Sequence, residues 1–142
     1  MNSDYDLDRF VAAQDHGQTY QQAVTELRAG QKVSHWMWFV FPQLTGLGRS
    51  SMAQRYAIGS LAEARAYLEH PVLGPRLRQC CDAVCSGTGS AERILGPIDA
   101  VKLRSSMTLF HRAEPERAEF VAVLERFFDG QPDPATDELL GR

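Results

Sequence analysis

Both tryptophans and two of the seven phenylalanines of this chain fall within six residues, Trp36 to Phe41, inside the run His35 to Gln43. Aromatic side chains each remove a large area from water, so a run like this has to be enclosed by the rest of the molecule. Aromatic residues favour strands, yet Ser34 is placed to cap a helix starting at His35, with Val33 stapled to Trp38. Pro42 ends the element by moving Phe41 out of helical geometry. The expectation is a short buried helix, apolar on every side and therefore at the centre of the fold. Two indole N–H groups, His35 and Gln43 then need hydrogen-bond partners, from the core or from a bound ligand or water.

The flanking sequence repeats with helical period. Tyr20, Ala23, Val24 and Leu27 stand at i, i+3, i+4 and i+7, preceded by Thr19 with Gln22 as a capping box and closed by Gly30. Ser60 and Glu63 form a second capping box before Leu61, Ala64 and Leu68, and His70 and Pro71 stop that helix. Pro75, Pro97 and Pro115 each stand where a further helix begins, since the first turn has no use for the missing N–H. In the last of these, Phe120, Leu124, Phe127 and Phe128 line one face up to Gly130. No stretch alternates long enough to demand a sheet, and no internal repeat is present. The expected fold is an all-α, compact multi-helix bundle around the aromatic helix: one domain over residues 1–130, then a C-terminal tail over 131–142 with a short helix from Asp137.

Composition excludes several classes. With 142 residues there is room for one core, and 44% hydrophobic against 23% charged residues is globular composition. The net charge is −3 and the arginines are scattered, so no extended nucleic-acid footprint is expected, although a local anion site fits. Met1 to Asp8 carries three aspartates, no basic residue precedes Arg9, and the longest apolar run is six residues, against the roughly 20 of a spanning helix. These features predict a cytoplasmic protein without membrane contact. Three cysteines, Cys80, Cys81 and Cys85, cannot all pair and are expected as free thiols. Cys81 and Cys85 share a face, but neither C-x-x-C nor H-E-x-x-H occurs, so small buried thiols are expected and no metal or cofactor. His16, His70 and His111 suit surface or capping roles, and the G-x-S-x-G nucleophile motif is absent.

Two groups of residues carry candidate chemistry. Gly46, Gly48, Arg49, Ser50 and Ser51 lead into a predicted helix from Met52 to Ile58, a pattern that suits an anion: glycines admit a ligand to the backbone, and arginine adds a charged fork. It is neither a Walker loop nor a dinucleotide fingerprint, and an ordinary serine-capped loop uses the same residues. Asp99, Lys102 and Ser106 lie at i, i+3 and i+7 on one helical face, either as a surface ion pair or as groups facing a wet cleft. Two functional classes follow. In the first, a pocket holds a small anionic ligand such as a nucleotide or ADP-ribose derivative. There Trp36 or Trp38 stacks on a ring, the helix beginning near Ser51 with Arg49 or Lys102 holds phosphate, and Asp99, with His35 as a second catalytic candidate, supplies general-base chemistry. In the second, the same groups build the core of a non-catalytic protein-interaction domain whose partner the sequence does not identify.

Several stretches together resemble a known family: Asp6 to Gln14, Glu26-Leu27, Gly30 to Lys32, His35 to Gln43, Gly46 to Gly48, Tyr56 to Ile58, His70-Pro71, Asp99, Lys102-Leu103 and Ser105 to Phe110. The chain is similar, from residue 6 to about 128, to a set of small, mainly bacterial, all-α domains of unknown function, some of whose members are labelled calpastatin. Nothing in these residues gives that label a physical basis. The resemblance implies a mainly α-helical fold and carries over neither an activity nor a catalytic residue.

Overall fold

The computed structural model describes residues 5–142, so the part of the N-terminal reading that rests on residues 1–4 lies outside it. Helix α1 spans Asp8–Asp15 and runs through a 3₁₀ turn, His16–Gln18, into α2, Thr19–Ala29. The aromatic run supplies α3, Met37–Val40, and α4 follows at Ser51–Arg55. The remainder is α5 (Leu61–Glu69), α6 (Leu73–Ser86), α7 (Ala91–Leu95), α8 (Pro97–Ala113), α9 (Ala118–Phe128) and α10 (Pro134–Leu139). The described residues contain no strand; Leu44 and Ile58 form an isolated parallel bridge. The fold is all-α, as the helical periods require.

Helix α8 is the hub. It packs on α5, α7, α9 and α10, while α6 packs on α2, α5 and α9. It is deeply set: every residue from Ser105 to Phe110 is enclosed, the hydroxyl residues Ser105, Ser106 and Thr108 included. Aromatic rings connect the helices at close range: Phe10 of α1 meets Tyr67 of α5 edge-on at 5.1 Å, Tyr67 meets Phe110 of α8 at 5.3 Å, and Phe110 meets Phe120 of α9 at 5.7 Å. Each such pair adds about 0.5–1.5 kcal/mol beyond its buried area. No helix among the described residues is long and apolar enough to cross a membrane.

The aromatic run is buried as expected, but its helix is a single turn. Trp36, Met37, Phe39, Val40 and Phe41 are enclosed, whereas Trp38 is half-buried. Ser34 does not cap it and Val33 does not staple it: Trp36 is the N-cap and Val33 is exposed. The reason is a competing acceptor, for the Ser34 N–H and hydroxyl both donate to Glu26, at 3.0 and 2.6 Å. The Thr19–Gln22 box is likewise unformed. Gln18 takes the left-handed conformation as N-cap, Thr19 donates its hydroxyl to the His16 carbonyl, and Gln22 donates to Glu26. Gly30 ends α2 in the left-handed conformation as its position predicts.

Ser60 caps α5, accepting the Glu63 N–H at 3.1 Å, and the Glu63 carboxylate accepts from the Gly59 N–H at 2.9 Å. Pro97 opens α8 as expected, but Pro75 is the third residue of α6 and Pro115 lies in the turn before α9. A proline anywhere in the first turn or just outside it forfeits no helical hydrogen bond, so its position marks a helix start only to within a few residues. Helices α1 and α7 have no counterpart among the sequence expectations. In α9, Phe120 and Leu124 are buried together with Val123, and Phe127 and Phe128 are partly exposed. Helix α10 starts at Pro134, three residues before the expected Asp137, because the Asp133 carboxylate accepts the Thr136 N–H and caps it there.

Candidate functional site

The sequence-predicted site residues separate into two places. The first lies where the chain between α2 and α3 crosses the start of α8. Asp99 shares its carboxylate between two ammoniums, Lys102 at 3.1 Å and Lys32 at 3.0 Å, with the three side chains only 10–20% exposed. Each lysine also stands over an indole: Lys32 is 5.2 Å from the Trp36 ring centroid and Lys102 is 5.0 Å from that of Trp38. The ion pair expected at Asp99 and Lys102 is therefore part of a three-charge cluster with one positive charge in excess. Ser106 continues the same face of α8, enclosed, its hydroxyl without a partner among the described residues.

Beneath this cluster Trp36 is fixed by Glu26. The indole N–H donates to Oε1 at 2.8 Å, and the same carboxylate accepts the Val33 N–H at 2.8 Å, both Ser34 donors, and the Gln22 amide at 3.2 Å. Burial alone pushes the Glu26 carboxyl up, but the hydrogen bonds from Ser34, Val33 and Trp36 outweigh it and hold the group at about 2. Trp36 is thus a structural group, and the demand for an indole partner is met by protein. Of the two tryptophans, only Trp38 has surface to offer. His35, between these residues, is exposed.

The second place is the loop from Gln43 to Ile58. The Thr45 N–H donates to the Ile58 carbonyl and the Ile58 N–H to the Gln43 carbonyl, each at 2.8 Å, closing the loop at its neck. Inside is a cavity of about 340 Å³, lined by Gln43, Leu44, Thr45, Gly46, Gly48, Ala53, Gln54 and Ala57. Gly48 is required by the close approach of α4, since a Cβ there would stand 2.4 Å from that of Ala53. Of the predicted anion-loop residues, Gly46 and Gly48 line the cavity, whereas Arg49, Ser50 and Ser51 are exposed beyond it. Helix α4 corrects the expected helix from Met52 to Ile58: it spans five residues, Ser51–Arg55, and Ser50 itself accepts the Ala53 N–H. A single turn has little dipole, and one of its free donors is already used. The Arg49 guanidinium makes no hydrogen bond or ion pair among the described residues, while the Arg49 carbonyl accepts the Gln54 amide at 3.0 Å.

None of His35, Trp36, Trp38, Asp99, Lys102 or Ser106 lines the loop cavity. Sequence reasoning missed Lys32 and the binding role of Glu26, because no periodicity rule connects residues 26, 32, 36 and 99. It also missed Thr45 and Gln54 as lining groups, since no local motif marks a cavity formed within a loop. The cysteines are free: Cys80 and Cys81 are buried in α6, Cys81 with its sulfur 3.7 Å from that of Met107, and Cys85 is half-buried. No group of three or more His, Cys, Asp or Glu suited to a metal occurs among the described residues.

A family model described as a protein of unknown function (DUF1810) matches residues 4–140. The chain is also similar to a crystal structure of the conserved hypothetical protein Rv1873 from Mycobacterium tuberculosis. The two share 53% identity over 97% of this chain and 98% of that one, with a TM-score of 0.93. A comparison with curated proteins returns no match. The resemblance expected from the sequence, to a small all-α family of unknown function, therefore holds over nearly the whole molecule, and the chain belongs to the DUF1810 family.

Proposed function

We propose that this protein binds a small anionic ligand, of the nucleotide or ADP-ribose kind, at the loop cavity between Gln43 and Ala57. The observation that carries the reading is a cavity of about 340 Å³ with two carboxamides, Gln43 and Gln54, and two glycines in its wall, followed in the chain by Arg49, whose guanidinium has no partner among the described residues. That volume is at the small end of ligand sites, which run from roughly 300 to 1,000 Å³, and suits one ring-sized moiety, a base or a sugar. The carboxamides offer both donors and acceptors to such a ring, and the glycines let it reach the backbone. The charged part of the ligand then extends toward Arg49, whose planar fork matches phosphate.

The reading is one of binding rather than catalysis. Asp99, the expected general base, has both oxygens on lysine ammoniums, and neither it nor the exposed His35 lines the cavity. Thermal unfolding in the presence of ADP, ADP-ribose and inorganic phosphate tests the proposal. A ligand at 100 times its dissociation constant stabilises by about 2.7 kcal/mol, a shift of several degrees for a chain of this size. Arg49→Ala should reduce the shift, and Ala57→Leu, which fills the cavity, should abolish it. If no anion moves the melting temperature of the wild type, or if Ala57→Leu keeps the full shift, the proposal fails.

A further inference from the structure

The surface around the Asp99 cluster holds a feature that the cavity does not use. Ile98 is 73% exposed, Val33 71% and Val101 60%. Ile98 and Val101 stand one turn apart on α8, next in sequence to Asp99 and Lys102. Val33 follows Lys32, whose N–H donates to the Ile94 carbonyl at 2.7 Å and whose ammonium reaches Asp99 at 3.0 Å. Each of these exposed apolar residues is thus the chain neighbour of one member of the ion cluster: Val33 of Lys32, Ile98 of Asp99 and Val101 of Lys102. Single exposed apolar residues are ordinary, but three that adjoin one partly desolvated ion cluster offer a surface for a partner.

We propose that this face docks an acidic amphipathic segment of a partner protein, with one Asp or Glu carboxylate set between Lys32 and Lys102 and apolar side chains covering Ile98, Val101 and Val33. The charge count selects this occupant. Two ammoniums already held against Trp36 and Trp38 face a single carboxylate, and a second carboxylate completes the arrangement. The apolar collar then excludes water from the new ion pair, the setting in which charged contacts contribute most to specificity. A second copy of the chain in an isologous contact on this cluster would set its excess ammonium against the same excess rather than against a carboxylate. An anionic membrane is recognised by clusters of about four to eight basic residues, and two lysines sharing an internal carboxylate fall short of that.

Selection of displayed random 15-residue peptides on the intact protein tests the proposal, followed by fluorescence anisotropy of an enriched, labelled peptide. Enriched peptides should carry Asp or Glu with Leu, Ile, Val or Phe three or four positions away. Ile98→Asp and Lys102→Glu should each weaken binding at least tenfold, and higher salt should weaken it further. Circular dichroism melting verifies that both variants fold; Ile98→Asp changes an exposed side chain and keeps the test valid if Lys102→Glu unfolds. Ala57→Leu should leave peptide binding unchanged, which separates this surface from the loop cavity. Four results would each overturn the proposal: no enriched peptide, enrichment of basic or neutral peptides, binding indifferent to Ile98→Asp, or an Ile98-dependent dimer or binding to phosphatidylserine vesicles in place of peptide binding.

Discussion

The carboxylate of Glu26 accepts the indole N–H of Trp36 at 2.8 Å, across ten residues of sequence, and the same carboxylate gathers the backbone of Val33 and Ser34. One acidic side chain thereby sets the path of the chain between α2 and α3 and the orientation of the most enclosed tryptophan.

This arrangement has a pH signature. The Glu26 carboxyl lies near 2 in the folded protein, below its ordinary value of 4.5. Because the folded value is depressed, the stabilisation is fully present above pH 4.5 and is lost as the pH falls toward 2; it corresponds to about 3 kcal/mol. Glu26→Gln should lower stability at pH 7 by about 1–3 kcal/mol, since the charge-assisted bonds weaken. Urea unfolding at pH 7, 4 and 2.5 checks both points: wild type and variant should converge in acid. Parallel pH profiles would show that Glu26 is not the group responsible.

A second prediction concerns the attachment of α10. The Asp133 carboxylate accepts the Ser105 hydroxyl at 2.8 Å and the Thr136 hydroxyl at 2.6 Å, and the Asp133 N–H donates to Thr108 at 2.8 Å. Arg112 adds a paired contact to both oxygens of Asp137, each at 2.8 Å. Asp133→Ala removes a helix cap and strands the buried Thr136 hydroxyl, while the Ser105 hydroxyl keeps its bond to the Val101 carbonyl, so a loss of about 2 kcal/mol is expected. Hydrogen exchange should show α10 losing protection ahead of α8. Unchanged protection in α10 would mean that its apolar contacts suffice.

Gly74 gives a purely steric prediction. It is buried in α6, and a Cβ there would stand 2.2 Å from the Leu68 carbonyl oxygen, a backbone atom of α5 that cannot rotate away. Gly74→Ala should therefore separate α5 from α6 and destabilise by about 2–3 kcal/mol, despite alanine's better helix propensity. A melting temperature equal to wild type would contradict the packing described between these helices.

The thiols should react in order of access. Burial pushes Cys80 up to about 12 and also raises Cys81, and both are enclosed; Cys85 is raised by burial too, but is only half-buried. Since the thiolate is the reactive form, a disulfide reagent at pH 8 should label Cys85 first and slowly, and the other two only on unfolding. Rapid native labelling of Cys80 or Cys81 would refute this.

Local physics was legible in the sequence, and long-range pairing was not. The i, i+3, i+4 spacing of Tyr20 to Leu27, the Ser60 cap, Pro97 at a helix start and the absence of strand alternation each depend on neighbours within a turn, so the residues themselves determined an all-α fold with these helices in it. The enclosure of Trp36 to Phe41 followed from apolar mass alone. What only the tertiary structure decided is where polar groups far apart in sequence find each other. Ser34 offers a cap, but Glu26 accepts its donors; Asp99 faces Lys102 as its helix requires, but Lys32 arrives from another element; and the glycine loop and the tryptophans, read together as one pocket, line different parts of the molecule. A buried donor or charge takes the best acceptor the packed chain brings within 3 Å, and that choice is made by the fold as a whole.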